Sequence, residues 1–327
     1  MLNCIHRAAA DNAWDKILTK IFPTDTERQL REMFSETECI ERREFTVLHK
    51  IILGMLDKDL ERELSGSTAE IDAVDSDNRT ALALAAERGD VISVNLLLKY
   101  GADTAPASVC GNTALHCAVC AIDPCCIQPL IDHGAIVDAV TNWHQTPLIY
   151  VAAYRKDARH AQILIDAGAN VDLQDLDGIN PLGWTAITGN LPVAQALLQC
   201  GAQPLLKDNS NETGLTKCIS LNRHDILEAI IIKLEGFELS YEESERVLLS
   251  VAQSADERTM KLLLRVSRAE VLGDVADSQG VSAAQLLRDR IDFSNELLRS
   301  YNLLHGVQMY ANIDSDEEDD VWHDALE

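Results

Sequence analysis

The chain has 327 residues, of which 46% are apolar and only 5% aromatic, so it can bury a core built mainly from aliphatic side chains. Its formal net charge at pH 7 is −25, and the lysines and arginines form no basic patch. Because such a surface repels nucleic-acid phosphates and anionic lipid headgroups, we expect no nucleic-acid binding.

Targeting and membrane signals are weak in this sequence. The stretch MLNCIHRAAADNAWDKIL carries acidic residues and lacks a long apolar run, which predicts no signal peptide. The longest apolar stretches, such as ILEAIII from Ile226, are far shorter than the roughly 18 residues that a membrane span requires. Nine cysteines is an odd number, and a reducing compartment would leave most of them as thiols. We therefore expect a cytoplasmic protein without membrane insertion, with the nucleus as the alternative location.

Two sequence markers recur with a period of about 33 residues. An opening Thr or Asn, followed two residues later by Leu, occurs at Thr80, Thr113, Thr146, Asn180 and Thr213. A Gly-Ala marker recurs in step with it at Gly101, Gly134, Gly168 and Gly201. Because two independent markers keep the same spacing, the sequence predicts a tandem repeat array.

Each repeat is predicted to contain two helices. The opening Thr caps the first helix, the Leu faces the core, and the alanines that follow let a neighbouring helix come close. The Gly of the second marker ends the second helix with a left-handed residue. Most residues two positions before the openings tolerate positive φ, which predicts a tight hairpin between repeats. These residues are Asn78, Gly111, His144, Gly178 and Asn211.

The segment DSDNRTALALAAERGDVISVNLLLKYGAD resembles the ankyrin repeat, whose pattern is Asp-x-x-Gly-x-Thr-Pro-Leu-His-x-Ala-Ala, a second helix and Gly-Ala. The resemblance implies an all-α solenoid of stacked helix-turn-helix units with short hairpins, which binds protein partners along a concave face. The predicted parts are a degenerate N-terminal capping repeat with an insertion (1–45), ankyrin repeats starting near 46, 80, 113, 146, 180 and 213 (46–234), atypical C-terminal repeats with a cap (235–306) and an acidic disordered tail (307–327).

Five cysteines and a histidine crowd the stretch CGNTALHCAVCAIDPCC, residues 110–126, which suggests a zinc site or a redox centre. The repeat register places Cys117 and Cys126 at small apolar positions, and the histidine is the ordinary repeat histidine. A zinc site needs four converging ligands, whereas cysteine readily serves as a small apolar residue. We predict neither a metal site nor a cofactor. Only Cys120 and Cys125 lie at positions that are usually exposed, and their redox modification stays open.

The hairpin tips and the exposed end of the first helix are the variable, solvent-facing positions of such a fold, and they become apolar in two adjacent repeats. An exposed tryptophan beside Ile, Leu and Tyr resembles a binding hot spot, because large rigid rings bury much area at little entropic cost. The alternative is that these rings pack against adjacent repeats. The predicted partner-binding residues are Asn142, Trp143, Gln145, Tyr150, Tyr154, Leu176, Ile179, Trp184 and Ile187.

The C-terminal stretch IDSDEEDDVWHDALE is strongly acidic, which predicts a disordered tail. Its end resembles the two-phenylalanine-in-acidic-tract motif, which docks on VAP-type proteins at the endoplasmic reticulum. Trp322 stands at the main aromatic position of that motif, and Asp324, Ala325 and Glu327 match its last half. Trp replaces Phe or Tyr there, and the two neighbours of Trp322 depart from the pattern. A solubilising or autoinhibitory segment is the alternative.

No catalytic signature is found: the sequence lacks a Gly-rich phosphate loop, His-Glu-x-x-His, a nucleophile elbow and a kinase motif. We therefore predict a non-enzymatic, monomeric scaffold or adaptor that binds a protein partner through the concave and hairpin face of the middle repeats. The alternative is a regulatory inhibitor of a pathway enzyme or transcription factor that acts through the acidic tail. The general style of the repeat sequence resembles ankyrin proteins of filamentous fungi, some of which are encoded beside secondary-metabolite genes.

Overall fold

The computed structural model describes residues 44–66, 70–154, 157–234 and 241–264. Within these ranges the secondary structure is helical, and β structure is limited to two isolated bridges. The chain divides into two compact units, residues 1–217 and 218–327. In the described part, no helix combines the length and the apolar character needed to span a bilayer.

Most of the predicted N-terminal cap, the region after residue 264 and the whole acidic tail lie outside the described residues. The expectations for the tail, including those for Trp322, Asp324, Ala325 and Glu327, therefore stay predictions.

The helices occur in pairs, and each opening residue stands directly before a first helix. In chain order they are α1 (Val47–Ile52), α2 (Leu60–Gly66), α3 (Ala81–Arg88), α4 (Val91–Lys99), α5 (Ala114–Cys120), α6 (Ile127–Asp132), α7 (Pro147–Tyr154), α8 (Ala158–Asp166), α9 (Pro181–Thr188), α10 (Leu191–Gln199), α11 (Gly214–Ser220), α12 (His224–Leu234), α13 (Tyr241–Ser254) and α14 (Glu257–Leu264). In the first unit, the first helices α3, α5, α7 and α9 pack in one row. The second helices α4, α6, α8 and α10 pack in a parallel row. This is the all-α solenoid of stacked helix pairs that the sequence predicts.

Four of the five opening residues, Thr80, Thr146, Asn180 and Thr213, cap the first helices with their side chains as expected. Thr80 Oγ1 accepts the Ala83 N–H at 3.2 Å, and Asn180 Oδ1 accepts the Gly183 N–H at 2.9 Å. Each such cap stabilises a helix by about 1 kcal/mol. The second helices are followed by glycines with φ between 86° and 91°, which confirms the predicted left-handed stops: Gly101, Gly134, Gly168 and Gly201.

The core of the array is built from the leucines that follow each opening residue by two positions. These side chains are at most 2% exposed: Leu82, Leu115, Leu148, Leu182 and Leu215. Burying one leucine side chain contributes about 2–3 kcal/mol. Fully buried alanines on the same helices, among them Ala86, Ala118, Ala152 and Ala186, leave room for the next repeat.

A side-chain oxygen closes each hairpin from a position five residues before the opening residue. Asp75 Oδ1 accepts the backbone N–H of Asp77 at 3.0 Å and that of Arg79 at 2.8 Å. This local acceptor replaces the backbone partners that a strand would supply. The same pair of bonds forms at Thr141, Asp175 and Asp208. The four residues predicted to tolerate positive φ adopt it, and His144 does so as well, with φ between 56° and 84° for all five: Asn78, Gly111, His144, Gly178 and Asn211.

The five hairpins from Asp75 to Glu212 are joined at each of their four interfaces by one backbone hydrogen bond. The donors and acceptors are Val109 N–H to Asp77 O (2.9 Å), Asn142 N–H to Cys110 O (3.1 Å), Leu176 N–H to Trp143 O (3.0 Å) and Asn209 N–H to Asp177 O (3.1 Å). We name these four bonds the hairpin ladder. They hold adjacent backbones so close that a Cβ atom at Gly111 would lie 2.7 Å from the Asn142 nitrogen.

Buried histidines add a second tie between repeats. Thr113 N–H donates to His116 Nδ1 at 3.3 Å, which assigns the proton to Nε2. Nε2–H then donates to the Gln145 carbonyl of the next hairpin at 3.1 Å. His49 makes the matching bond to the carbonyl of Arg79 at 2.8 Å. Burial lowers the pKa of His116 to about 4, so this tie requires the neutral ring.

In the second unit, α12 packs against α14. His224 Nε2 lies 2.9 Å from the Asp256 carboxylate, whose Oδ1 accepts the Thr259 N–H at 2.8 Å. Asn222 Oδ1 accepts the backbone N–H of Asp256 at 3.3 Å. These bonds fix the start of α14 against the residues that precede α12.

The close approach at Gly111 predicts a difference between two glycine substitutions. Gly111 and Gly134 have nearly equal φ of 84° and 86°, but a Cβ atom at Gly134 would meet nothing within 4 Å. Both Gly→Ala changes should cost about 1 kcal/mol for the left-handed backbone. Gly111→Ala should cost about 1–3 kcal/mol more because it pushes the ladder apart. Urea unfolding of both variants measures the difference, and equal losses would contradict the steric role of the ladder.

The neutral state of His116 predicts weaker folding in acid. The unfolded chain takes up a proton near pH 6.5, whereas burial delays protonation in the native state to about pH 4. The contribution of neutral His116 to the free energy of unfolding is therefore complete above pH 6.5. It is lost as the pH falls toward 4, by up to ~3 kcal/mol. In unfolding measured from pH 7 to 4.5, His116→Gln should show a shallower decline than wild type. Parallel profiles would show that His116 does not titrate in this way.

Candidate functional site

Exposed apolar side chains lie at the tips of three consecutive hairpins. Val109 is 65% exposed and Leu176 is 49% exposed, while Trp143, on the hairpin between them, is half-buried. We name Val109, Trp143 and Leu176 the tip row. The ladder connects Leu176 directly to Trp143, and Asn142 Nδ2 donates to the Val109 carbonyl at 2.9 Å. The row is therefore carried by a backbone that is already held in place, which limits the entropy lost on binding.

Most of the predicted partner-binding residues reach the surface at least in part. The exposed ones are Asn142, Tyr154 and Leu176, and the half-buried ones are Trp143, Ile179, Trp184 and Ile187. Their presence on two adjacent repeats agrees with the sequence prediction of an apolar surface there, and partner binding itself stays a prediction.

Gln145 and Tyr150 are buried, so the expectation that they face a partner is wrong. Tyr150 is 3% exposed, and its hydroxyl donates to Asn112 Oδ1 of the preceding hairpin at 2.8 Å. Its ring contacts those of His116 and Tyr154 edge-on, with centroids 5.2 and 5.5 Å apart. Tyr150 therefore follows the alternative given by the sequence, in which an aromatic ring packs against an adjacent repeat and does not bind a partner. Gln145 is fully buried, and neither Nε2 nor Oε1 of its side-chain amide has a hydrogen-bond partner among the described residues.

Trp184 has a structural role that the sequence interpretation missed. Its Nε1–H donates at 2.8 Å to Oδ2 of Asp175, the residue that closes the hairpin carrying Leu176. In two other repeats a basic side chain bonds the equivalent oxygen: Arg79 Nη2 with Asp75 at 2.9 Å and Lys217 Nζ with Asp208 at 2.6 Å. Trp184 therefore belongs to the support of the tip row.

Two cysteines of the cysteine-rich stretch around α5, Cys117 and Cys126, hold protonated thiols. Desolvation raises the pKa of Cys117 well above its ordinary value, and burial raises that of Cys126 to about 12. A protonated thiol is a poor nucleophile and a poor metal ligand. Cys125 Sγ donates to the Gly89 carbonyl at 3.5 Å, and Cys120 is half-buried. No three His, Cys, Asp or Glu residues converge as metal ligands in the described ranges.

Val109 is the most exposed member of the tip row, and the sequence interpretation did not select it. The signal was available: Val109 and Leu176 both stand four residues before an opening residue, in the same column of the repeat. An apolar residue at a hairpin position that is otherwise Ser or Asn was an indication of a binding surface.

Carboxylates lie at both ends of the tip row. On the preceding hairpin, Asp77 keeps 48% of its side chain exposed and lies 3.8 Å from Arg79 Nη2. Asp177 is exposed beside Leu176. The arrangement can hold an apolar group at its centre and attract positive charge at its ends, and it offers no group positioned for bond-breaking chemistry.

Comparison with known proteins places the array in a family. The family model of ankyrin repeats (three copies) matches residues 48–141, 105–175 and 148–242, which together cover more than half of the chain. Rabankyrin-5 of Homo sapiens is 29% identical over 215 residues, which cover 62% of this chain and 18% of that protein. The B-cell lymphoma 3 protein homolog of Mus musculus is 32% identical over 187 residues, covering 56% of this chain and 41% of that protein.

A solved structure has the same architecture. The crystal structure of the ankyrin repeat domain of Bcl-3, described as a unique member of the IkappaB protein family, matches with a TM-score of 0.51 and 28% sequence identity. The match covers 58% of this chain and 83% of that domain. The chain spans less than half the length of the two curated relatives. The period, the hairpins, the family model and this likeness agree, and the chain belongs to the ankyrin repeat family.

Proposed function

We propose that this chain is a non-catalytic adaptor that holds a protein partner on the tip row and on the adjoining exposed ends of the first helices. Ankyrin repeats are protein–protein interaction modules. The observation that carries the proposal is the tip row itself, in which Val109, Trp143 and Leu176 stand on three bonded hairpins. An isolated exposed apolar residue needs no explanation, whereas a contiguous row of them is typical of a binding surface.

Trp143 is the central anchor of the proposed surface. A tryptophan loses little side-chain entropy when it is covered, and tryptophans are enriched among residues that contribute 2 kcal/mol or more to binding. Tyr154 and Ile187 extend the surface along the ends of α7 and α9, where Tyr154 is 42% exposed. The half-buried state of Trp143 means that part of its ring already rests on the protein and is oriented before binding.

The acidic tail carries the alternative proposal, a regulatory inhibitor that acts through residues 307–327 on a pathway enzyme or transcription factor. The supporting observation is the acidic block from Asp314 to Asp320. The docking of Trp322 and the residues after it on a VAP-type protein is a separate proposal for the same segment. Neither of these tail-dependent proposals requires the tip row, so each can be distinguished experimentally from the adaptor.

Trp143→Ala should weaken partner capture at least tenfold while leaving the melting temperature within about 2 °C of wild type. The physical reason is that the change removes the anchor ring without opening a buried cavity. Quantitative affinity purification of the full chain measures capture, and thermal unfolding measures stability.

Ile92→Ala is the matched control, because Ile92 is 72% exposed but lies on the second helix α4, outside the proposed surface. It should leave the same partners bound. Unchanged capture by Trp143→Ala, or its unfolding, would contradict the proposed anchor.

Deletion of residues 312–327 separates the adaptor from the tail-dependent inhibitor. An adaptor that uses the tip row should keep its partner with unchanged affinity, because the deletion leaves every ladder bond in place. An inhibitor that acts through the acidic block should lose its activity. Loss of the Trp143-dependent partner on deletion would be evidence against the adaptor.

A further inference from the structure

The surface that includes the tip row is unusually poor in positive charge. Between Lys99 and Lys207 the only lysines and arginines are Arg155, Lys156 and Arg159, which come after the last residue of α7 in the sequence. The hairpins of Val109 and Trp143 contain no lysine or arginine. The one basic residue on the two flanking hairpins, Arg79, is 11% exposed, bonds Asp75 at 2.9 Å and lies 3.8 Å from Asp77.

A half-exposed carboxylate, Asp77, and an exposed one, Asp177, lie on either side of the apolar residues. Asp77 accepts the ladder bond from Val109, and Asp177 directly follows Leu176. The order along the ladder is therefore acid, apolar, aromatic, apolar and acid. Asp77 and Asp177 are three interfaces apart, and neighbouring helices pack about 8–10 Å apart, so the two carboxylates are separated by roughly 25–30 Å.

The acidic tail and a second copy of the chain do not complement the acidic ends of the row. The tail is a run of acids. A second copy carries the same charge of −25. Like charges at close range oppose association, so neither the tail nor another copy suits the acidic ends of the row.

From this pattern, and resting on the proposed function, we propose that the partner presents an extended segment with an apolar centre and basic residues at both ends. An extended chain advances about 3.3 Å per residue, so about eight or nine residues separate the two basic positions. The central apolar side chain lies against Trp143, and the basic groups reach Asp77 and Asp177. The ion pairs add salt-dependent affinity and fix the position of the segment along the ladder.

Selection from a phage-displayed library of random 16-residue peptides on the full 327-residue chain tests this proposal without knowing the partner. The enriched peptides, synthesised with a fluorophore, are then titrated by anisotropy at low and high salt. We expect peptides with two basic positions about nine residues apart and an apolar residue between them. Their affinity should fall at least tenfold between 50 and 300 mM NaCl.

Two matched double variants locate the charge effect. Asp77→Asn with Asp177→Asn removes the carboxylates at the ends of the row. Asp132→Asn with Asp166→Asn removes the same charge from the exposed ends of α6 and α8. The first pair should weaken peptide binding about three- to tenfold, and the second should change it less than twofold.

Each outcome bears on a different step. Enrichment of neutral or acidic peptides that still need Trp143 would overturn the basic partner and leave the adaptor standing. Basic peptides that are weakened equally by both double variants would also overturn the proposal, because attraction would then be non-specific. Basic peptides that require Asp77 and Asp177 but ignore Trp143→Ala would support the charge pattern and contradict the anchor of the proposed function.

Discussion

The backbone hydrogen bond between neighbouring hairpins is the constraint on which the array depends. Each of the four ladder bonds requires two hairpin backbones to approach within contact distance, and the hairpins achieve this only with a positive φ two residues before the opening residue. Where that residue is Gly111 or Gly178, a Cβ atom would collide with the next backbone. The hairpin-closing oxygens and the buried histidines then hold each turn in the shape that the ladder needs. The stack of helices follows, since each helix starts where its hairpin ends.

The same constraint explains why the hairpin tips are suited to binding. A tip residue contributes its backbone to the ladder and directs its side chain elsewhere, so Val109 and Leu176 are exposed although their amides are bonded. Binding then requires little ordering of the backbone. Neighbouring positions are used differently: Trp184 supports its hairpin through Asp175, and Tyr150 bridges to Asn112. Structural and recognition roles therefore alternate over short distances in the first unit.

The helix caps, helix stops and hairpin turns within each repeat were predictable from the sequence. The burial of side chains between repeats was not. The opening Thr residues, the left-handed glycines and the hairpin residues act within a few positions of themselves, so the 33-residue period located them. Gln145 and Tyr150 were misjudged because their exposure depends on the preceding repeat, which covers both. Trp184 was judged a recognition residue because its buried acceptor lies nine positions earlier. Val109 was overlooked, although its column in the repeat pointed to the surface.

Native-state amide hydrogen exchange of the four ladder donors, Val109, Asn142, Leu176 and Asn209, tests the central claim most directly. All four residues are exposed and lie in turns, where amides ordinarily exchange fast. The ladder predicts protection comparable to that of amides inside α7 and α9, released only when the repeats unfold. Exchange of these amides near the rate of an unstructured chain, while the helices stay protected, would contradict the ladder as the element that sets the register.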